Sequence, residues 1–197
     1  MMTIVWDVDD VLNDLMLAWF TETWKPSHPS CELSYSEITE NPPDRVLGIQ
    51  RSEYLSSLDA FRLSDRARNM PPNPAIAQWL QTHGAEYRHM ALTARPLEST
   101  PQAAEWLFRH FGSYMRSFGV VPTRLPAGVP AYDRDKGDYL RWLGKADILV
   151  DDSEENLRAA EALGIRSVLY PQPWNGSSQT AREALESLAQ LAEANSD

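Results

Sequence analysis

Two short acidic clusters in this sequence could together hold a divalent cation and face one substrate. The first, Asp7-Val8-Asp9-Asp10, directly follows the apolar run Thr3–Trp6, and the second, Asp151-Asp152, directly follows Ile148-Leu149-Val150. Residues two apart on an extended chain share a face, so Asp7 and Asp9 could address the same substrate atom. Clustered acids repel one another unless a cation lies among them, and Mg²⁺ prefers oxygen ligands. The pattern predicts a Mg²⁺ site, although acids after a strand can also merely solvate a loop or cap a helix.

A threonine and a lysine between these clusters have the chemistry to hold a phosphoryl group. Thr93 follows the apolar run Met90-Ala91-Leu92 and precedes Ala94 and Arg95. The Thr93 hydroxyl, the next backbone N–H groups and Arg95 could bind phosphoryl oxygens, although threonine at a strand end is often only a turn residue. Lys136 opens a helical stretch, where its charge opposes the helix dipole unless an anionic substrate or the acidic clusters offset it. The alternative for Lys136 is a solvated surface lysine.

Apolar runs separated by helix-period segments predict the elements that must position these residues. The predicted strands are Thr3–Trp6, Tyr87–Leu92, Ser117–Val121, Asp147–Val150 and Arg166–Tyr170. Several are apolar throughout, which is typical of strands covered on both faces. Because strands alternate with helices, we predict an α/β fold with a parallel sheet and right-handed crossovers. Ligands of such sheets bind at the carboxyl ends of the strands, where both acidic clusters lie.

The predicted helices begin and end at recognisable capping residues. Polar N-caps, first-turn prolines or acids, and terminal glycines mark their ends. These helices cover 74–84 after Asn73, Ala103–Phe111 before Gly112, Tyr139–Leu143, Glu154–Leu163 before Gly164, and a C-terminal stretch from about Ser178 to Ala194.

Residues 15–72 interrupt the alternation of strands and helices. They begin with an amphipathic helix and pass through proline-containing loops to a second helix near Ser52–Phe61, with no predicted strand. A segment of roughly 55 residues makes only a thin core by itself. We therefore predict an α/β core of residues 1–14 and 73–197 and a small helical insertion, residues 15–72, that lies over the sheet.

Composition and charge exclude several classes of protein. The chain has 197 residues, 43% of them hydrophobic, which is enough for a packed core. Its net charge of −10 disfavours nucleic acids and anionic membranes as partners. The single cysteine, Cys31, excludes an intrachain disulfide and is typical of a reducing compartment. Without a signal-peptide layout or an apolar run near ~20 residues, the sequence predicts a soluble cytoplasmic protein and leaves its oligomeric state open.

Taken together, the four motifs resemble those of the haloacid dehalogenase-like superfamily. That superfamily has strand-Asp-x-Asp, strand-Thr, Lys and strand-Asp-Asp in this order, and the match runs from Asp7 to Asp152. One such motif is easily matched by chance, whereas four in order, three of them at strand ends, are not. The resemblance implies a Rossmann-like three-layer core, a Mg²⁺ cofactor and hydrolysis of a small phosphorylated substrate.

The resemblance also implies a role for each matched residue. Asp7 matches the nucleophile that forms an aspartyl-phosphate, and Asp9 matches the general acid/base. Thr93 and Lys136 match the groups that hold the phosphoryl oxygens. The metal ligands would be Asp7, the backbone carbonyl of Asp9 and one acid of the Asp151-Asp152 pair, with Asp152 favoured as the direct ligand. Because the ATPase branch has Thr at the Asp9 position and dehalogenases do not need this Asp, the pattern favours a phosphohydrolase, with a phosphomutase as the less favoured alternative.

The same resemblance identifies the insertion as a C1 cap and suggests a branch. The run Asp7–Leu15 is similar to the start of the 5'(3')-deoxyribonucleotidase branch, where cap aromatics stack on the base. Substrate contacts are then expected from Asp10, Trp19, Ala94 and Arg95, although the helical spacing of Trp19 favours a core position. The sequence departs from this branch at Asp10, where the branch usually has Gly, and in its Thr93–Pro96 motif.

The sequence therefore leaves three functions open. The favoured hypothesis is a Mg²⁺-dependent phosphatase that acts on a nucleotide or sugar phosphate. A catalytically weak nucleotide- or phosphate-binding regulatory protein could use the same fold. A phosphotransferase would use the same residues and differ only in the acceptor.

Overall fold

A parallel sheet of five strands forms the centre of the computed structural model, which describes residues 1–193. The strands are β1 (Thr3–Trp6), β2 (Arg88–Arg95), β3 (Met115–Pro122), β4 (Ile148–Asp151) and β5 (Arg166–Leu169). Their order across the sheet is β3-β2-β1-β4-β5, and every neighbouring pair is parallel. The prediction of an α/β fold with a parallel sheet is confirmed.

Ten α-helices connect or flank the strands in residues 1–193. They are α1 (Leu15–Trp19), α2 (Lys25–Ser27), α3 (Asp44–Leu47), α4 (Arg51–Arg62), α5 (Asp65–Arg68), α6 (Pro74–His83), α7 (Thr100–Phe111), α8 (Lys136–Leu143), α9 (Glu154–Glu161) and α10 (Ala181–Glu193). A tight turn at Val8–Leu12, with non-helical backbone at Asp9 and Asp10, follows β1, and a π-helical segment at Phe20–Trp24 continues α1. None of the helices in this part of the chain is long and apolar enough to span a bilayer.

Several predicted boundaries shift in the structure. Strand β2 was predicted to end at Leu92 but continues to Arg95, because Thr93–Arg95 pair with Val120–Pro122 of β3. Helix α7 starts three residues earlier than predicted, at Thr100, and α10 starts at Ala181. The predicted end of the last helix at Ala194 lies outside the described residues.

Helices cover both faces of the sheet, which gives the three-layer arrangement. Because side chains alternate along a strand, Ile4 and Trp6 of β1 pack with α6, α7 and α10, whereas Val5 packs on the opposite face with α8 and α9. Both faces of β1 are therefore buried, which explains why this strand is apolar throughout.

The segment 15–72 has its own hydrophobic cluster, separate from the two clusters on the sheet. Its buried members are Leu15, Met16, Trp19, Phe20, Trp24, Ile38, Tyr54, Leu58, Phe61 and Met70. No strand occurs within residues 15–72, as the sequence predicts. We call these residues the helical insertion.

The register of the sheet brings the predicted site residues to one edge. Trp6, the last residue of β1, pairs with Ala91 of β2 and with Val150 of β4. The Asp7 N–H then donates to the Val150 carbonyl at 2.9 Å, so Asp7 lies directly beside Asp151. The central position of β1 thus places the first acidic cluster between the second cluster and Thr93.

The turn after β1 explains the unusual residue at position 10. Asp10 has φ 63°, in the left-handed region, where glycine has no steric cost and aspartate is one of the better tolerated alternatives. Its carboxylate accepts a hydrogen bond from the Met16 N–H at 2.8 Å. This bond fixes the start of the helical insertion to the turn, which a glycine could not do.

Candidate active site

Lys136 lies buried between two carboxylates at the carboxyl end of the sheet. It opens α8, and its Nζ is 2.7 Å from Oδ1 of Asp7 and 2.7 Å from Oδ2 of Asp151. Only 2% of the residue is exposed, so the alternative of a solvated surface lysine is wrong. The two carboxylates offset the unfavourable position of a cation at a helix start.

The carboxylate of Asp7 is held on one side only. The Val8 N–H donates to Asp7 Oδ1 at 2.7 Å, and Lys136 contacts the same oxygen. Within residues 1–193, no hydrogen bond or ion pair reaches Oδ2 of Asp7. The arrangement fixes the orientation of the carboxylate and leaves one oxygen free.

The two acids of the second cluster have different surroundings. Asp151 is fully buried and accepts hydrogen bonds from Lys136, the Ser153 N–H at 2.9 Å and the Asn156 side chain at 3.0 Å. Asp152 accepts one side-chain hydrogen bond, from Trp174 Nε1 to Oδ2 at 2.8 Å. The surroundings of Asp151 suit a residue that orients Lys136, and those of Asp152 suit a metal ligand with an oxygen to spare.

The donor atoms present fit a hard divalent cation. One carboxylate oxygen from each of Asp7, Asp151 and Asp152 lies within 4.8 Å of the others, and all three residues are buried. An all-oxygen donor set of carboxylates is what Mg²⁺ prefers. The expectation of a metal centre at these residues therefore agrees with the donor chemistry.

Asp9 forms ion pairs with two arginines. Its Oδ1 pairs with Arg95, and its Oδ2 lies 3.3 Å from Nη2 of Arg62 on α4. Burial alone would raise the pKa of Asp9, but Arg95 and Arg62 outweigh burial and lower the pKa below its usual range. Asp9 is therefore a carboxylate in this arrangement.

Arg95 does not have the predicted position. It was expected to bind substrate beside Thr93, but its guanidinium contacts Asp9 and donates from Nε to Thr93 Oγ1 at 3.2 Å. The extension of β2 through Thr93–Arg95 explains this, because alternate residues of a strand share a face. Arg95 thus holds the side chains of Asp9 and Thr93 in place.

A cavity of about 230 Å³ lies between the strand ends and the helical insertion. Its sheet side carries Asp7, Asp9, Asp10, Thr93, Ala94, Lys136, Asp152, Ser153 and Asn156. Its insertion side carries Leu15, Met16, Asn41, Tyr54, Leu58 and Arg62. With the exception of Arg95, Trp19 and the fully buried Asp151, the predicted site residues therefore face one space.

Trp19 is not among the residues that line this cavity. It is fully buried in the hydrophobic cluster of the insertion, donates from Nε1 to Ser57 Oγ at 3.0 Å and packs edge-on against Tyr54. Trp19 supports the wall residue Tyr54 and does not itself reach the cavity, so the expected substrate contact of Trp19 is wrong. The core position that its helical spacing favours agrees with the structure.

Clustering of carboxylates raises several pKa values. Burial, followed by the charges of Asp151 and Asp152, raises the pKa of Asp7 against the opposing effect of Lys136. Burial and the Asp152 charge raise the pKa of Asp10. Burial and the Asp151 charge raise the pKa of Asp152 to about 7. The pKa of Lys136 is raised, because the charges of Asp151 and Asp7 outweigh the opposing effect of burial.

The raised pKa of Asp152 predicts that stability without metal falls as pH rises. The folded protein binds the Asp152 proton more tightly than the unfolded chain, in which the pKa is about 4. This contribution is complete below about pH 4 and is lost as pH rises to the folded pKa of about 7. In EDTA we expect the melting temperature to fall by on the order of 5 °C between pH 5 and pH 8.

Mg²⁺ at pH 8 is expected to reverse that loss, because a bound cation favours the ionised carboxylates. Thermal melts with EDTA and with Mg²⁺ measure both effects. Asp152→Asn serves as the matched variant and should flatten the pH dependence and weaken the response to Mg²⁺. The same pH dependence in wild type and Asp152→Asn would contradict the assignment.

Sequence reasoning missed several residues that build the site. Arg62 belongs to none of the motifs, and its contact with Asp9 depends on how the insertion folds. Asn156 follows the second acidic cluster by one helical turn and orients Asp151. Gln172 donates to the Asp10 carbonyl at 2.6 Å, from a loop that the sequence marks only by its prolines. Trp174, in the same loop as Gln172, donates to Asp152.

Comparisons with known proteins identify the fold. No protein-family model matches the sequence, and no curated protein matches it. Solved structures do match. A haloacid dehalogenase-like family hydrolase from Streptococcus pneumoniae has a TM-score of 0.61 at 14% identity, and the alignment covers 96% of this chain and 98% of that one. The chain has the haloacid dehalogenase-like fold.

Two further structures support this assignment. A candidate beta-phosphoglucomutase from Thermotoga maritima has a TM-score of 0.60 at 21% identity, covering 96% of this chain and 99% of that one. A candidate HAD hydrolase from Bacillus subtilis, solved with bound magnesium, has a TM-score of 0.59 at 12% identity, with coverage of 96% and 97%. At these identities the similarity shows a shared haloacid dehalogenase-like fold. It does not support the 5'(3')-deoxyribonucleotidase branch.

Proposed function

We propose that this chain is a Mg²⁺-dependent phosphatase that hydrolyses a small phosphomonoester through an aspartyl-phosphate on Asp7. The observation that carries the proposal is the contact of Lys136 with both Asp7 and Asp151 beside the Asp152 carboxylate. Burial of a lysine between carboxylates from two strand ends costs desolvation free energy. Such a cluster beside a cavity is typical of a functional site. The structural likeness to haloacid dehalogenase-like hydrolases supports the same reaction class.

In the first step Asp7 Oδ2 attacks phosphorus. Oδ1 is held by Lys136 and the Val8 N–H, so Oδ2 is the oxygen free to form the new bond. The bond between phosphorus and the leaving oxygen breaks, and Asp9, which first takes up a proton from solvent or from the phosphomonoester monoanion, gives this proton to that oxygen. The products of this step are an alcohol and the aspartyl-phosphate.

In the second step water attacks phosphorus and Asp9 accepts a proton from it. The Asp7–phosphorus bond breaks, which restores the Asp7 carboxylate and releases phosphate. Two arginines keep Asp9 ionised in the resting protein, which suits its role as the base. Thr93 Oγ1 and Lys136 Nζ hold the phosphoryl oxygens through both steps.

The cation would be held by the carboxylates of Asp7 and Asp152 and the backbone carbonyl of Asp9, with Asp151 as an orienting residue. When bound, Mg²⁺ supplies positive charge beside the phosphoryl oxygens. Asp151, which bonds Lys136, Ser153 and Asn156, keeps the lysine in place.

We infer that residues 15–72 act as a cap that excludes water and selects the leaving group. Leu15, Met16 and Leu58 make an apolar wall, and Tyr54 and Asn41 add polar groups. A cavity of about 230 Å³ suits a small substrate such as a sugar phosphate or a nucleoside monophosphate. Tyr54 takes the place of Trp19 as the aromatic side chain closest to the substrate.

Phosphate release from a panel of small phosphate esters tests the proposal. The panel contains nucleoside monophosphates, sugar phosphates and p-nitrophenyl phosphate, each assayed with Mg²⁺ and with EDTA. We expect release with Mg²⁺ that EDTA abolishes. No release from any compound by folded protein would overturn the phosphatase proposal. Saturable binding without turnover would then favour a regulatory role, and transfer to an added alcohol would favour a phosphotransferase.

A further inference from the structure

An alternating chain of charges joins the protein surface to Asp9. Arg124, on the loop after β3, pairs with Asp59 of α4. Asp59 Oδ1 lies 3.2 Å from Arg62, which also reaches Asp9, and Asp9 pairs with Arg95. The side chains become steadily more buried along this chain, from 56% exposed at Arg124 to 6% at Arg95. This row of charged side chains begins at Arg124 of the core, passes through residues of the insertion, and ends at Arg95 of the core.

Asp9 is oriented by one donor from each part of the protein. Arg95, from β2, holds Oδ1, and Arg62, from the insertion, holds Oδ2. A carboxylate held at both oxygens cannot rotate freely, and each oxygen still has a second lone pair for a substrate or water. If the Arg62 contact is lost, Arg95 is the remaining ion-pair partner of Asp9 among the described residues.

Arg62 is itself fixed in place. It is the last residue of α4 and lies at the boundary of the cavity, with 13% of its side chain exposed. The Nη1 atom of Arg62 donates to Asp59, one turn earlier on the same helix. Arg124, in the core, also donates to Asp59. The position of Arg62 therefore depends on how α4 is seated against the core.

We propose that Arg62 is a positioning residue that orients Asp9 for proton transfer. This proposal rests on the proposed function, because it takes Asp9 to be the group that protonates the leaving oxygen. Asp59 and Arg124 hold Arg62 in its working position. Arg62 acts through Asp9 and need not touch the substrate.

The dependence of the rate on the leaving group tests this proposal. p-Nitrophenyl phosphate releases an acidic phenol that needs little protonation, whereas an alkyl phosphate releases an alkoxide that needs the proton of Asp9. For Arg62→Met we expect kcat on the alkyl phosphate to fall on the order of 10²-fold, because the lost orientation of Asp9 outweighs its easier protonation without the Arg62 charge. On p-nitrophenyl phosphate we expect a fall of less than about 3-fold, since Asp7 and Lys136 are unchanged.

Two further variants make the test independent of folding. Arg62→Lys keeps the charge but cannot span Asp59 and Asp9 with a fork, so we expect the same unequal loss at about 10-fold. If Arg62→Met does not fold, Arg62→Lys decides. Arg51→Met, a matched change at an exposed site on α4, should leave both rates unchanged.

Equal losses on the two substrates in the Arg62 variants would overturn the positioning role while leaving the phosphatase proposal intact. Unequal losses in Arg51→Met would also overturn it, because the effect would then come from α4 in general. Failure of the proposed function itself is distinguishable, since wild-type protein would then release no phosphate from either substrate.

Discussion

Replacement of Asp7 by Asn is expected to reduce phosphate release by on the order of 10⁴-fold or more while the fold is retained. The amide cannot attack phosphorus, so no aspartyl-phosphate forms. The change is close in shape, and the carbonyl oxygen of Asn can still accept from the Val8 N–H and Lys136 Nζ. Asp7 is buried, and the nearby charges of Asp151 and Asp152 raise its pKa. The neutral amide removes this repulsion, so we expect no loss of thermal stability.

Two measurements check this expectation. Initial rates on the best compound of the panel give the activity, and a thermal melt of the same sample gives the stability. Asp65→Asn, an exposed change on the insertion, is the matched control and should keep wild-type activity. Activity of Asp7→Asn within 10-fold of wild type, in a preparation free of other phosphatases, would rule out Asp7 as the nucleophile.

Lys136→Met is expected to cost about 3–5 kcal/mol of unfolding free energy, the largest stability effect in the site. The lysine is buried against Asp7 and Asp151, and methionine supplies the volume of its stem but not its charge. Asp151 is fully buried, so its carboxylate would remain without a counter-charge. Activity should also be lost, because the donor for the phosphoryl oxygens is gone.

Urea unfolding at constant pH measures this cost, and a second substitution tests its cause. In Asp151→Asn/Lys136→Met the stranded charge is removed, and Asn can still accept from the Ser153 N–H. We expect the double variant to regain at least about 1 kcal/mol relative to Lys136→Met, with activity still absent. Lys145→Met, at an exposed lysine, should change stability by less than about 0.5 kcal/mol. A loss below about 1 kcal/mol for Lys136→Met would contradict the charge argument.

The sheet and its functional edge could be predicted from the sequence because they rest on local patterns. Apolar runs such as Thr3–Trp6 and Ile148–Val150 lie in strands buried on both faces, and polar groups directly after them must emerge at the carboxyl edge. The position of Lys136 at the start of a helix does not by itself predict its burial, because lysines at helix starts are common on protein surfaces. Only the need of two acidic clusters for a counter-charge pointed to its burial.

The parts that could not be predicted depend on how the insertion folds over the core. Arg62 lies on a helix with a weakly apolar face, and nothing in its local sequence indicates that its partner is 53 residues away at Asp9. The position of Trp19 has the same cause. Its helical spacing gives a buried face, but whether that face turns to the cavity or to Tyr54 is decided by packing within the insertion.

The separation of the hydrophobic clusters has a consequence for how such a protein evolves. The insertion packs around its own cluster, while Asp7, Lys136 and Asp151 are fixed by the sheet and α8. Mutations that repack the insertion but leave Arg62 in place can therefore reshape the wall of the cavity without moving Asp7, Lys136 or Asp151. Substrate specificity can in this way change while the proposed chemistry at Asp7 is kept.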